Sequence, residues 1–299
     1  MTRTIKTIAL LMLGVAFTIS CKKKTDSIPT TPMGYLFFHL HTDFWTTIQG
    51  ADTTVLPCLA IADSSTGTGR KMYVDTAQLI LSNVKLLSSS GQVTYTVPNV
   101  RFKVTQNEIV YIGQVPVGVF SGVRYNVGVD SAINSVIAPP SDTALYNNTS
   151  MYYNGASNPS GGYTFIYFSG YIDTTAGATG IWTDTTKNGH PGFLKFSYKI
   201  GTNKNLITIN IGTNPSNVSS SNPSGQYEVV YGEATYVHQI INYYKIFFGY
   251  QAFPYTSAQL TVGPSNPNTA VAQKIISNII TGNGEGNPAD ETWYCEIGN

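Results

Sequence analysis

The chain has 299 residues, 17 basic against 16 acidic, and only 11% of it is charged while 12% is aromatic. Apart from one lysine cluster at 22–24 it has no basic run, which excludes the electrostatic footprint of a nucleic-acid binder. Its 28 glycines, with many Thr, Ser, Asn and Tyr, fit an extracytoplasmic all-β protein.

In chain order, the first feature reads as an address. Arg3 and Lys6 precede the apolar run "IALLMLGVAFTI", whose twelve residues are too few to span a bilayer but suit a signal-peptide core. The run ends in "SCKKKTD", which resembles a bacterial lipobox, so Cys21 is expected to be acylated and to become the new N-terminus. Residues 1–20 are then a lipoprotein signal peptide, 21–32 a lipidated tether and 33–299 a single β-sandwich domain. The expected location is extracytoplasmic and anchored to the outer membrane through lipid. Without Arg3, Lys6, Lys22, Lys23, Lys24 and Asp26, the body keeps 12 basic and 15 acidic residues and is weakly acidic.

Segments 30–45, 71–87, 92–104, 108–113, 122–130, 163–172, 192–200, 205–211, 226–231 and 242–250 read as strands. They are rich in Tyr, Val, Ile, Phe and Thr and lie between Gly, Pro, Asn and Ser clusters. "LLSSSGQVTYTV" reads as a hairpin turning at Ser90 and Gly91. Long connections are expected at 46–70, 131–162, 173–191 and 212–225. Near the C-terminus, Val271, Ile275, Ile276 and Ile279 recur at helical spacing, with Asn268 or Thr269 to cap the start and Gly282 to end it. The pattern predicts an all-β fold: a β-sandwich of about ten mainly antiparallel strands with Greek-key character and one C-terminal helix. Cys58 and Cys295 are a disulfide candidate, a bridge worth about 4 to 5 kcal/mol for so long a loop; two separate buried thiols are the other reading.

No G-x-S-x-G, H-E-x-x-H, P-loop or C-x-x-C motif is present, so the chain is expected not to be an enzyme. Asp130 and Asp173 end strands. They could act as a glycosidase pair only across one cleft, whereas Asp in such places commonly caps a turn.

The four histidines carry the remaining chemistry. In "YLFFHLHTDFW", strand alternation puts Tyr35, Phe37, His39 and His41 on one face and Leu36, Phe38 and Leu40 on the other. His39 and His41 could supply two nitrogen donors to copper or zinc from one strand, or each could hydrogen-bond within a packed wall. His190 reads as a solvated turn residue, and His238 could face core or cleft.

The blocks "RKMYVDTAQLILSNVKLLSSSG", "QVPVGVFSGVRYNVGVDSAIN", "SMYYNGASNPSGGYTFIYFSGYID", "FLKFSYKIGT" and "YVHQIINYYKIFFGY" resemble, in this order, those of the MbnP-like family. These are extracytoplasmic proteins named for a copper-binding partner of methanobactin systems. The resemblance implies a single β-sandwich and copper as cofactor, and in some members a diheme peroxidase-like partner that oxidises a tryptophan near the metal. In this chain Tyr153 stands where that tryptophan would be, and Lys199 where a histidine is often found. The donors left for copper are His39, His41, His238 and Met151. The alternative is a surface lipoprotein that binds a glycan or protein, with Tyr152, Tyr153 and Tyr163 stacking on sugar faces.

Overall fold

The computed structural model describes residues 31–43, 58–61, 71–98, 100–103, 107–135, 145, 148–153, 162–175, 177, 179–181, 191–213, 218–248, 260–265, 269–281 and 293–295. The signal segment, Cys21, most of the tether and His190 lie outside them. By packing, the chain divides into Met1–Pro32 and Met33–Asn299, and the second unit holds all the strands that follow.

The first six strands are β1 (Met33–Asp43), β2 (Cys58–Ile61), β3 (Lys71–Leu87), β4 (Val93–Val97), β5 (Arg101–Lys103) and β6 (Ile109–Pro116). Next come β7 (Gly118–Phe120), β8 (Gly122–Val127), β9 (Thr164–Asp173), β10 (Phe193–Gly201) and β11 (Ile207–Ile211). The last are β12 (Tyr227–Val229), β13 (Ala234–Asn242), β14 (Thr261–Val262) and β15 (Trp293–Cys295). They form a four-stranded sheet ordered β15-β13-β1-β6 and a nine-stranded sheet ordered β11-β8-β3-β9-β10-β14, with β2, β4 and β5 also paired to β3. A short ribbon pairs β12 with β7. Most pairs are antiparallel, but β1 runs parallel to β13 and β10 parallel to β14. The expected all-β sandwich is therefore the fold.

β3 curls the larger sheet. Its 17 residues are interrupted by register shifts at Val74/Thr76 and Ser82/Lys85, so successive parts face different partners. Asn83 takes φ 53 at the second shift, a left-handed conformation that Asn tolerates better than most residues. Between the sheets lies an apolar core that includes Leu36, Phe38, Leu40, Leu79, Leu81, Val110, Ile112 and Tyr125. Phe38 meets the Tyr125 ring at 4.9 Å, and the Tyr125 hydroxyl donates to Gln239 Oε1 at 2.5 Å, so a buried polar bond joins β8 of one sheet to β13 of the other.

The expected turn at Ser90 and Gly91 is present, with Gly91 at φ 74 and its N–H donating to Ser88 O at 2.9 Å. The expected C-terminal helix is α3 below, and its Val271, Ile275, Ile276 and Ile279 are buried. Thr269 caps it, its Oγ1 accepting from Ala272 N at 3.1 Å. Two shorter helices join it: α1 (Ser131–Asn134) and α2 (Tyr243–Phe248), with α3 spanning Ala270–Thr281.

One expected strand is corrected. Of the segment 242–250, residues 243–248 do not continue as a strand: β13 ends at Asn242 and α2 follows, and 249–250 lie outside the described residues. Asn242 Oδ1 accepts the Lys245 N–H at 3.0 Å, which starts a helix, and Tyr243, Ile246 and Phe247 are buried at helical spacing. The aromatic run has high strand propensity, but the cap and the packing of α2 against α3 override it. Asn278 Nδ2 on α3 donates to Ile246 O at 2.9 Å and fastens the two helices.

Candidate metal centre

The alternation expected of β1 holds. Leu36, Phe38 and Leu40 are fully buried toward the core, while Tyr35, Phe37, His39 and His41 line the outer face of the four-stranded sheet. Parallel pairing with β13 sets His39 directly opposite His238, and on the other side β6 sets Phe37 opposite Tyr111 and His39 opposite Ile109. A bulge at Leu36/Phe37 makes this register possible. It places Ile112 and Gly113 in succession on the buried side, so Tyr111 and Ile109 return to the outer face beside the histidines.

The three imidazoles converge. His39 Nδ1 lies 3.1 Å from His238 Nδ1, and the ring centroids are 3.9 Å apart for His39 and His41 and 4.6 Å for His39 and His238. One ring nitrogen from each of His39, His41 and His238 falls within a 4.8 Å span. His41 is 6% exposed and the other two are half-buried. Four donors around an ion at 2.0–2.1 Å would stand about 3.3 Å apart, so small side-chain rotations close the set. The donor chemistry suits copper or zinc, which imidazole favours.

A chain of aromatic contacts runs up to His238. Tyr35 and Tyr111 are 6.3 Å apart, Phe37 lies 5.2 Å from Tyr111 and stacks on Tyr236 at 5.3 Å, and Tyr236 is 6.2 Å from His238. Arg101 covers Tyr111, its Cζ 5.4 Å from the ring, and its Nε donates to the Tyr111 carbonyl at 2.7 Å.

Two charged residues complete the surroundings. Glu108 precedes β6 and is held by its backbone carbonyl, which accepts the Leu40 N–H at 2.7 Å. Its Oε2 lies 3.9 Å from both His39 Nε2 and His41 Nδ1. Lys103, on β5, is fully buried; desolvation pushes its ammonium down to about 8, while the charge of Glu108 opposes the shift. Neither residue was a candidate from sequence. Glu108 forms no motif with the histidines, and only the β1–β6 register brings it to them.

The other candidates lie elsewhere. Met151 is fully enclosed in a 3-10 turn, Thr149–Met151, that packs against β9 of the larger sheet, away from the outer face that carries the histidines. It is corrected from ligand to core residue. Tyr152, Tyr153 and Tyr163 are 4%, 5% and 0% exposed, and Tyr152 and Tyr163 pack edge to face at 5.8 Å. Burial leaves no ring face for a sugar, so these three also belong to the core. Cys58 pairs with Val74 at one edge of the larger sheet and Cys295 with Gln239 in the smaller one; their side chains lie outside the described residues.

Both aspartates cap turns. Asp130 Oδ1 accepts from Ile133 N at 3.0 Å and starts α1. Asp173 accepts from Thr175 N, Thr175 Oγ1 and Gly180 N at 2.7–2.9 Å and anchors the loop after β9. Lys199 also has a structural duty: its Nζ donates to Ser150 O at 3.3 Å and lies 5.2 Å over the Tyr167 ring.

Fold and site together define a β-sandwich protein with a histidine centre on the outer face of its smaller sheet. The chain belongs to the MbnP family, whose model matches residues 44–251. His238 falls inside that span, and His39 and His41 stand just before it. Among solved structures the chain is similar to MbnP from Methylosinus trichosporium, at 9% identity and a TM-score of 0.44, covering 87% of this chain and 93% of that one. No curated protein matches the sequence.

Proposed function

We propose that this protein is a non-enzymatic, lipid-anchored extracytoplasmic protein that binds copper through His39, His41 and His238. The observation that supports this most directly is the convergence of three imidazoles from two strands within 4.8 Å. Membership of a family associated with copper supports the choice of metal. The residues fit such an ion: all three donors are imidazole nitrogens within 4.8 Å of one another, and bound copper would serve as cargo or as a structural ion. The block around Tyr153 and Lys199 does not fit the relatives' site, since Tyr153 is buried and Lys199 is committed to Ser150 O and the Tyr167 ring. Copper binding here therefore does not require a diheme peroxidase-like partner to oxidise a tryptophan.

Acylation of Cys21 would hold the protein to the outer membrane, with a tether that reaches at most about 40 Å to Met33. Titrating the metal-free protein with copper against a competing chelator tests the reading. One equivalent bound tighter than micromolar, and lost in His39→Ala and His238→Ala, is the expected result; no such binding overturns it.

A further inference from the structure

We propose that the corner of the sandwich where the tether joins, carrying Val117, Val119, Val230 and Tyr231, is a lipid-contact face that settles into the headgroup layer of the membrane holding the anchor. The inference rests on the acylation of Cys21 proposed above and adds to it the side of the body that meets the bilayer.

Backbone pairing brings the corner together. Met33, the first residue of β1, pairs with Pro116 at the end of β6, and its carbonyl accepts the Gly232 N–H at 3.0 Å. Tyr35 N donates to Glu233 O at 2.8 Å, so the turn between β12 and β13 is fastened to the start of β1. The fit is close: a Cβ on Gly34 would come 2.5 Å from Val230 O. Glu233 N closes the turn by donating to Val230 O at 3.2 Å, with Gly232 at φ 72, where a side chain would be strained. The corner is therefore a fixed part of the sandwich at the residue where the tether arrives.

The β7–β12 ribbon sorts its side chains. Phe120 and Tyr227 pair in register, stack at 5.0 Å and are buried with Val229, whereas the next pair, Val119 and Glu228, is exposed. Val117 and Val230 follow the ribbon's last pair, Gly118 with Val229, and are exposed as well. Exposure is 43% for Val117, 58% for Val119, 40% for Val230 and 72% for Tyr231. Single exposed hydrophobics are ordinary, but four gathered at one corner form an apolar patch.

The tether decides what meets that patch. Twelve residues lead from Cys21 to Met33, so acyl chains on Cys21 keep the corner within about 40 Å of the leaflet. At the effective concentration of a tethered group, contacts too weak to hold a free protein suffice. Valines supply apolar area, and a tyrosine ring with its hydroxyl suits the boundary between acyl chains and headgroups. The charged residues of the corner, Glu228 and Glu233, are acidic, which favours zwitterionic over anionic headgroups. His39 lies six residues beyond Met33 along β1, about 20 Å at the rise of a strand, which leaves the histidine centre clear of lipid at the corner.

The test uses the full mature protein, made in a Gram-negative host that processes lipoprotein signals and reconstituted into zwitterionic vesicles. The acyl chains of these vesicles carry bromine, which quenches tryptophan on contact. Tyr231→Trp adds a tryptophan at the corner, and Ile280→Trp adds one at an exposed position on α3. The second is remote: β13 runs parallel to β1, so α2 follows at the far end of the sheet, and Asn278 fastens α3 to α2. We expect bromine to quench the added emission of Tyr231→Trp by at least about half, and that of Ile280→Trp by under about a tenth. Combining Tyr231→Trp with Val117→Thr, Val119→Thr and Val230→Thr, which keep the branched shape, should bring its quenching down to the level of Ile280→Trp.

Equal quenching of the two added tryptophans, with acyl chains on Cys21 verified by mass, overturns the lipid face and leaves the anchor standing. A Cys21 peptide without acyl chains overturns the anchor and the face with it. Light scattering in detergent that finds two chains together for wild type, and one for the triple threonine variant, assigns the corner to a second copy and overturns the lipid. Should Tyr231→Trp fail to fold, Val119→Trp at the same corner reads out the same comparison.

Discussion

His39 and His238 face each other across a parallel strand pair, 199 positions apart in sequence, with their Nδ1 atoms 3.1 Å apart. At that distance the two rings share a hydrogen bond, whichever tautomer supplies the N–H, and a bound metal ion would replace it. Such binding would be tied to the native pairing of β1 with β13. An ion bound only by the folded chain, at a hundred times its Kd, adds about 2.7 kcal/mol. For a domain of this size that raises the melting temperature by roughly 5–10 °C. Calorimetry should record the rise with one equivalent of copper, its reversal by a chelator, and its loss in His238→Ala.

Substitution of Met151 separates the core from the centre. Met151→Leu keeps the volume of a fully buried side chain and should cost less than about 1.5 kcal/mol. Copper affinity should be unchanged, because the residue packs against β9 of the other sheet. A large loss of affinity measured by chelator competition would place Met151 at the metal after all.

Lys103 gives stability a pH dependence of defined sign. Burial lowers its folded-state value from 10.5 to about 8, so between those values the unfolded chain binds more protons than the folded one. Stability of the metal-free protein should rise as pH increases from 8 to 10.5, and the full cost of the buried charge applies below pH 8. Lys103→Met should therefore stabilise the metal-free protein at pH 7 by about 3 kcal/mol and flatten that rise. Urea unfolding of both proteins at pH 7 and at pH 10.5 checks it: the difference between them should shrink at the higher pH.

The bond from Tyr125 to Gln239 crosses the core between the sheets. Tyr125→Phe keeps the ring against Phe38 but leaves the Gln239 carbonyl without this donor, which should cost about 1–3 kcal/mol. Denaturant unfolding should show a lower midpoint with an unchanged slope, as expected when packing and compactness are preserved.

Much of this fold is legible in the sequence because strand alternation and turn chemistry are local. β1, β3, β9 and β10 follow from period-two patterns, and α3 from its isoleucines and Thr269 cap. The helix at Tyr243–Phe248 is hidden because an aromatic run suits a strand as well, and only the Asn242 cap and the contact with α3 decide between them. The short strands β2, β7, β14 and β15, of two to four residues, carry too little pattern to read. At the centre, His39 and His41 announce themselves by spacing. His238 and Glu108 do not, since their approach depends on a parallel register and on a bulge that no local rule specifies.

That parallel register also sets when the centre can exist. β1 lies near the start of the sandwich and β13 near its end, so no partial chain that stops before residue 238 contains the full set of imidazoles. An ion held as proposed would then report that the chain has been made at least as far as β13, since a polypeptide that stops before residue 238 lacks one of the three imidazoles.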